Sequence, residues 1–181
     1  MKIRFTEEEY KRIKESALEF LKDSEKKGLN ANRYSGWKPI EYQIENQLVG
    51  CSGEFAVARA LGIKNFKPKV GVYHRVPDIE PDIEVRSSID KSFKKLILRD
   101  NDDLSRKYVY TRVNLDVTNT VEVEIMGWIV GKDAVEVTEL SFGNTKFSKT
   151  NNPFNQKPAY FVDNKNLHPF EKLIESYNEK K

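Results

Sequence analysis

The chain has 181 residues, of which 33% are charged and 11% aromatic, with a mean hydropathy of −0.67. That length suits one domain able to bury a core of its own, and the aromatic content with clear apolar runs excludes a disordered chain. No apolar stretch nears the ~18 residues of a membrane span, no charged-then-apolar leader is present, and the single Cys51 excludes an internal disulfide or a thiolate zinc cluster, so a cytoplasmic protein is expected.

Net charge is only +3, from 31 basic and 28 acidic residues, which excludes a histone-like binder that holds DNA through charge alone. The charge is unevenly spread. Residues 83–115 carry eight Lys/Arg against five acids, and residues 116–143 carry one Lys against six acids.

Thr6 to Glu9 reads as a capping box, in which Thr6 accepts from a first-turn N–H and Glu9 reaches back. The helix it opens runs to about Lys27, places Tyr10, Ile13, Ala17, Phe20 and Leu21 on one face, and stops at Gly28. Residues 28–39, rich in Gly, Asn and Pro, read as a loop. A second helix is predicted from Ile40 to Leu61, ending at Gly62, with Ile44, Leu48, Cys51, Phe55 and Ala58 as its apolar stripe. Small residues crowd its second half, which suits close approach to a sheet.

Beyond Gly62 the pattern changes to short β runs: Val70–Val76, Ile83–Ser87, Lys95–Arg99, Lys107–Asn114 and Val121–Val130. Gly127-Trp128 marks a bulge or a close backbone approach. Residues 141–158 read as a long loop, Tyr160–Val162 as a short strand, and Phe170–Tyr177 as a terminal helix. The expected class is α+β: N-terminal helices and a short C-terminal helix around a mixed, mostly antiparallel sheet. One domain is expected over 1–181, divided into an N-terminal helix and loop (1–39), a core (40–135) and a C-terminal extension (136–181).

Three features carry chemistry. In the second helix Asn46, Gly50 and Glu54 share a face, which sets a carboxylate at the edge of an apolar stripe. In the run Pro81-Asp82-Ile83-Glu84-Val85-Arg86, strand alternation would send Asp82, Glu84 and Arg86 to one side. Two carboxylates and a guanidinium there suit a divalent metal with a cation facing phosphate; a solvent-facing cross-strand ion pair is the alternative. An earlier Pro77-Asp78 offers a rival aspartate, provided a tight turn at Glu80-Pro81 returns the chain.

A helix with Gly53-Glu54, then Pro-Asp followed closely by Glu-x-Arg on a strand, then further strands, resembles the PD-(D/E)XK (restriction-endonuclease-like) nuclease superfamily over roughly residues 41–131. Stretches 92–103, 127–134 and 160–162 are similar to small bacteriophage proteins. The resemblance implies a restriction-endonuclease-like core, with Glu54, Asp82 and Glu84 as ligands of Mg²⁺ or Mn²⁺ and Arg86 in the place usually held by lysine. Catalytic residues would then be Glu54, Asp82, Glu84 and Arg86, with DNA as the substrate, no membrane partner, and a homodimer as in many nucleases of this fold. Arginine cannot shed its proton near neutral pH, so Arg86 can hold phosphate charge but cannot act as a base. Two functions follow as expectations: a metal-dependent endo- or exodeoxyribonuclease, or a catalytically silent relative that binds nucleic acid or a protein partner.

Other residues receive plainer readings. Residues 100–103 read as an acidic turn, with Arg99 near Arg86 if their strands neighbour each other. Lys91, Lys94 and Lys95 read as solvated, Tyr108 and Trp128 as core, His168 as a helix lead-in and Cys51 as a buried thiol. His74 is a further candidate base close ahead of the strand.

Overall fold

A computed structural model describes residues 1–26, 40–69, 76–89, 95–115, 121–138, 140–141 and 159–179. Residues 70–75 of the expected strand Val70–Val76, the loop at 28–39, residues 142–158 of the expected loop 141–158, Lys91, Lys94 and His74 lie outside the described residues.

The architecture is α+β. Strand β1 (Lys2–Arg4) precedes helices α1 (Glu7–Lys26) and α2 (Ile40–Ala60). Strands β2 (Ile83–Ser88), β3 (Lys95–Arg99), β4 (Lys107–Leu115) and β5 (Val121–Val130) follow. Helix α3 (Gly131–Glu136), strands β6 (Leu140–Ser141) and β7 (Ala159–Asp163), and helix α4 (Phe170–Asn178) complete the described chain.

A four-stranded sheet runs β1-β5-β4-β2, antiparallel except for the parallel β2–β4 pair, and a second sheet runs β3-β7-β6, antiparallel throughout. The first sheet is apolar on both faces. Ile83, Val85, Val109, Val113, Val121, Val123 and Ile125 pack on one side with Ile13, Ala17, Leu48, Phe55, Val57, Phe170 and Leu173 of the helices. On the other side Tyr108, Tyr110 and Ile129 pack with Leu96, Leu98 and Val162 of the second sheet and Ala134 of α3. Helices, large sheet and small sheet therefore form three layers around two cores.

The local signals behind these elements are visible. The capping box forms: the Thr6 N–H donates to Glu9 Oε2 at 2.8 Å and the Glu9 N–H donates to Thr6 Oγ1 at 3.3 Å. Gly62 takes a left-handed φ of 71°, and the Ile63 N–H donates to the Ala58 carbonyl at 2.9 Å, which stops α2. In β5 the pairing steps from Tyr110–Gly127 to Thr111–Ile125, so Met126 is an unpaired extra residue. Gly127, at φ 148°, lets the chain from Leu167 to His168 lie so close that a Cβ would stand 2.6 Å from the His168 carbonyl oxygen. The Trp128 and His168 backbones exchange hydrogen bonds there at 3.1 and 2.8 Å.

Three elements had no signal in the sequence. Strand β1 is three residues long, too short for alternation to register, and forms because Lys2, Ile3 and Arg4 pair with Glu124, Val123 and Glu122. Strand β6, of two residues, and helix α3, of six, are also too short for a period to show. Strand β3 is not a neighbour of β2; it pairs with β7 in the other layer.

The two glycines of α2 differ in what they meet. A Cβ on Gly53 would collide with Ser87 Oγ and lie 2.6 Å from Thr111 Oγ1, whereas a Cβ on Gly50 meets nothing within 4 Å. Gly53→Ala is expected to cost about 1–3 kcal/mol, because the Ser87–Thr111 hydroxyl pair must break and turn away or the helix shift outward. Gly50→Ala is expected to add roughly 0.5–1 kcal/mol through helix propensity. Urea unfolding midpoints at unchanged m-value check both.

Candidate active site

Gly53 seats α2 against Ser87 and Thr111, whose hydroxyls are hydrogen-bonded at 2.9 Å. The next residue, Glu54, is thereby carried to β2, the last described strand of its sheet. Ahead of β2 the chain makes the tight turn that the rival aspartate required. Ile79 and Ile83 exchange backbone hydrogen bonds at 3.0 and 2.9 Å across a cis Glu80–Pro81 peptide. That return places Asp78 alongside β2, where its Oδ2 accepts the Val85 N–H at 2.8 Å. Val85 faces the helices, and Glu84 and Arg86 alternate to the opposite face with Tyr108. The cluster therefore wraps the edge of β2: Glu54 from one layer, Asp78 along the edge, Glu84 from the other face.

The charges in this cluster act on one another. Loss of water pushes the Glu54 carboxyl well above the ordinary carboxylate range; Asp78 and Glu84 push it further and Arg86 opposes them. Asp78 is raised by desolvation, against the hydrogen bond from Val85 and the pull of Arg86. Glu84 is raised by desolvation and by Asp78, against Arg86 and Arg106. Asp78 and Glu84 are close enough to act on each other's ionisation, each desolvated beside the other.

Two guanidinium groups brace Glu84. Arg106 Nη1 donates to Glu84 Oε1, and Arg86 Nη1 stands 3.4 Å from Glu84 Oε2. Arg86 is fixed from behind: its Nη2 donates to both Asp102 oxygens at 3.1 and 3.0 Å, and its guanidinium lies 5.4 Å from the centre of the Tyr108 ring. Asp102 also accepts the Arg99 N–H at 3.0 Å, so the acidic turn bonds its own backbone as its composition implies and anchors Arg86 as well. Arg106 Nε lies 3.2 Å from Asp103 Oδ2.

Asp82 does not join this group. The strand begins at Ile83, one residue later than the alternation argument needs, and Asp82 belongs to the turn. Its Oδ2 accepts from Lys107 Nζ at 2.6 Å, and its carbonyl accepts the Lys107 N–H at 2.9 Å. Asp78, not Asp82, is brought to Glu54 and Glu84. Arg106 was missed altogether; it precedes β4 in a turn, and only the parallel pairing of β2 with β4 brings it to Glu84.

The donor chemistry of Glu54, Asp78 and Glu84 fits a hard divalent cation, which takes oxygen ligands. Among the described residues no hydrogen bond or ion pair engages the Glu54 carboxylate. As the side chains stand, however, no three His, Cys, Asp or Glu among the described residues are arranged to hold a metal ion. Glu84 is turned to the arginines.

The chain matches no protein-family model, no curated protein and no solved structure. Geometry therefore carries the functional argument. The remaining singled-out residues are placed as follows. Cys51 is buried and its thiol is pushed up by desolvation, then by Glu54 and Asp78. Tyr108 is buried with its hydroxyl donating to the Asp103 carbonyl at 3.0 Å. Trp128 donates to the Pro169 carbonyl at 3.1 Å and lies 5.2 Å from the His168 ring. No described helix is long and apolar enough to cross a membrane.

The raised carboxyls have a stability consequence. Folding holds the Glu54 proton more tightly than the unfolded chain does, so between the unfolded and folded pKa values the native state binds more protons. Stability then falls as pH rises through that window. With EDTA present, the wild type is expected to lose stability as pH rises above the ordinary carboxylate range, and Glu54→Gln to flatten the slope. The loss accumulated across the window is about 1.4 kcal/mol for each unit by which the carboxyl is raised. Denaturant midpoints against pH read both.

Proposed function

We propose that this protein is a metal-dependent nuclease that hydrolyses phosphodiester bonds in DNA, on a restriction-endonuclease-like core. Glu54, Asp78 and Glu84 would hold Mg²⁺ or Mn²⁺, and Arg86 would face the scissile phosphate. The observation that carries this reading is the convergence of three carboxyl groups from α2, the 79–83 turn and β2 on one strand edge, where each is desolvated and raised. Folding alone gives no reason to crowd them, because burying carboxylates together costs stability unless each is neutralised. With Asp102 and Asp103, five carboxyl groups face the two guanidinium groups of Arg86 and Arg106, more acid than the arginines can neutralise, so a cation could take the place of the protons the raised carboxyls hold.

A bound divalent cation would supply electrostatic stabilisation of the charge on the phosphate. The chain's own part is to orient and neutralise. Arg86, held by Asp102 and stacked on Tyr108, presents a fixed charge whose position costs no reorganisation when a phosphate arrives. It cannot take a proton from an attacking water. The hairpin return places Asp78 beside Glu84 with its Oδ2 pinned by the Val85 N–H, which sets the approach of the ligand pair.

A second reading is a catalytically silent protein of the same fold that binds nucleic acid or a protein partner, in the setting of a bacteriophage. The arginine-braced Glu84 favours it, because a carboxylate held by two guanidinium groups is already neutralised. Purified protein incubated with plasmid and single-stranded DNA in Mn²⁺, Mg²⁺ or EDTA separates the two. Metal-dependent cleavage is expected, falling at least about a hundredfold in Glu54→Ala, Asp78→Ala and Glu84→Ala. Asp82→Ala is expected to cleave like the wild type. Cleavage that survives Glu84→Ala would sink the site, and salt-sensitive DNA binding without cleavage would favour the silent reading.

A further inference from the structure

Among the described residues two carboxylates pair with Arg86, and they compete for it. Asp102 takes Nη2 through both oxygens at 3.1 and 3.0 Å, whereas Glu84 Oε2 stands 3.4 Å from Nη1. Burial works against the charge on Arg86, and Asp102 offsets that loss more than Glu84 does. Asp102 is also held in place. Its side chain is 6% exposed, its Oδ2 accepts the Arg99 N–H at 3.0 Å, and its own N–H donates to the Arg99 carbonyl at 3.1 Å. Arg99 in turn is paired with Ala159 of β7, so Asp102 is fixed to the second sheet. Glu84 gives Oε1 to Arg106 and turns Oε2 toward Arg86. Oε2 is therefore the oxygen through which Glu84 could reach a cation.

We propose that Asp102 is a positioning residue that holds Arg86 off Glu84 Oε2 and so keeps that oxygen available to a divalent cation. The proposal rests on the metal-dependent reading above. Glu84 and Arg86 stand two residues apart on β2 and project to one face, where a guanidinium and a carboxylate close into a charge-assisted pair unless something draws them apart. The Tyr108 ring keeps the guanidinium over this face rather than in solvent. Without the Asp102 charge, Arg86 closes on Glu84. One carboxylate oxygen cannot serve a tight guanidinium pair and a cation at once. The second sheet thus has a part in the site although it supplies no ligand, because its 99–102 turn sets the separation of Arg86 from Glu84.

The test is a double-mutant cycle read by calorimetric Mn²⁺ titration without DNA, on wild type, Asp102→Asn, Arg86→Gln and the combined variant. Asp102→Asn is expected to bind Mn²⁺ about tenfold more weakly than wild type, the size of one charge-assisted hydrogen bond newly in competition. In the Arg86→Gln background the same change is expected to shift affinity by about twofold or less, since no guanidinium is left to close on Glu84. An equal loss in both backgrounds overturns the proposal, because Asp102 would then act through its own charge or through the fold. Wild-type affinity in Asp102→Asn overturns it as well. Asp102→Ser, which keeps an acceptor for the Arg99 N–H, enters the same cycle if the asparagine variant does not fold. Failure of the wild type to bind Mn²⁺ overturns the metal reading itself, and the positioning role with it.

Discussion

The contact between Gly53 and the Ser87–Thr111 hydroxyl pair sets the geometry on which the rest of this protein depends. A Cβ at that position would collide with Ser87 Oγ and crowd Thr111 Oγ1, so the hydroxyl pair would have to give way or α2 lift from the sheet. With the helix seated, Leu48, Phe55 and Val57 reach the apolar face formed by Ile83, Val85 and Val109, and the first core closes. The same seating fixes where Glu54 goes, because it is the next residue along the helix. Packing and chemistry thus meet at one glycine, since the close approach at Gly53 stands next to the residue that reaches Asp78 and Glu84.

The cluster at the edge of β2 is a balance of opposing charges. Desolvation and mutual repulsion act on Glu54, Asp78 and Glu84, and the arginines with the Val85 N–H oppose them. Removing one partner from such a buried set typically costs about 3–5 kcal/mol, because the charge left behind has no water to return to. The network also reaches the second layer. Asp102 ties Arg86 to the turn after β3, and Tyr108 joins the same guanidinium to the second core. A change in the small sheet would therefore be felt at the cluster through the 99–103 turn, without contact with the carboxyl groups themselves.

Much of this was legible in the chain itself. The capping box at Thr6 and the Gly62 stop rest on interactions between residues close in sequence, and the stripe on α2 and the bounds of β3 and β5 show in the local pattern of residue types. The backbone conflict at Gly127 was also readable as a bulge or close approach, and the structure contains both. The importance of Glu54 and Glu84 could be raised from residue type and position, because a carboxylate at an apolar edge has few structural reasons to be there.

What the sequence determined is which segments form helices and strands and which charged residues fall at their edges, since period, caps and turns are local. Tertiary structure decided which of those charges meet. Alternation along one strand pointed to Asp82, but the return of the chain at Glu80–Pro81 delivered Asp78 and left Asp82 to Lys107. Arg106 reached Glu84 through the parallel pairing of β2 with β4, and Asp102 reached Arg86 across the space between two sheets. Contacts of that kind depend on distances set by packing many residues away, and no local pattern in the chain encodes them.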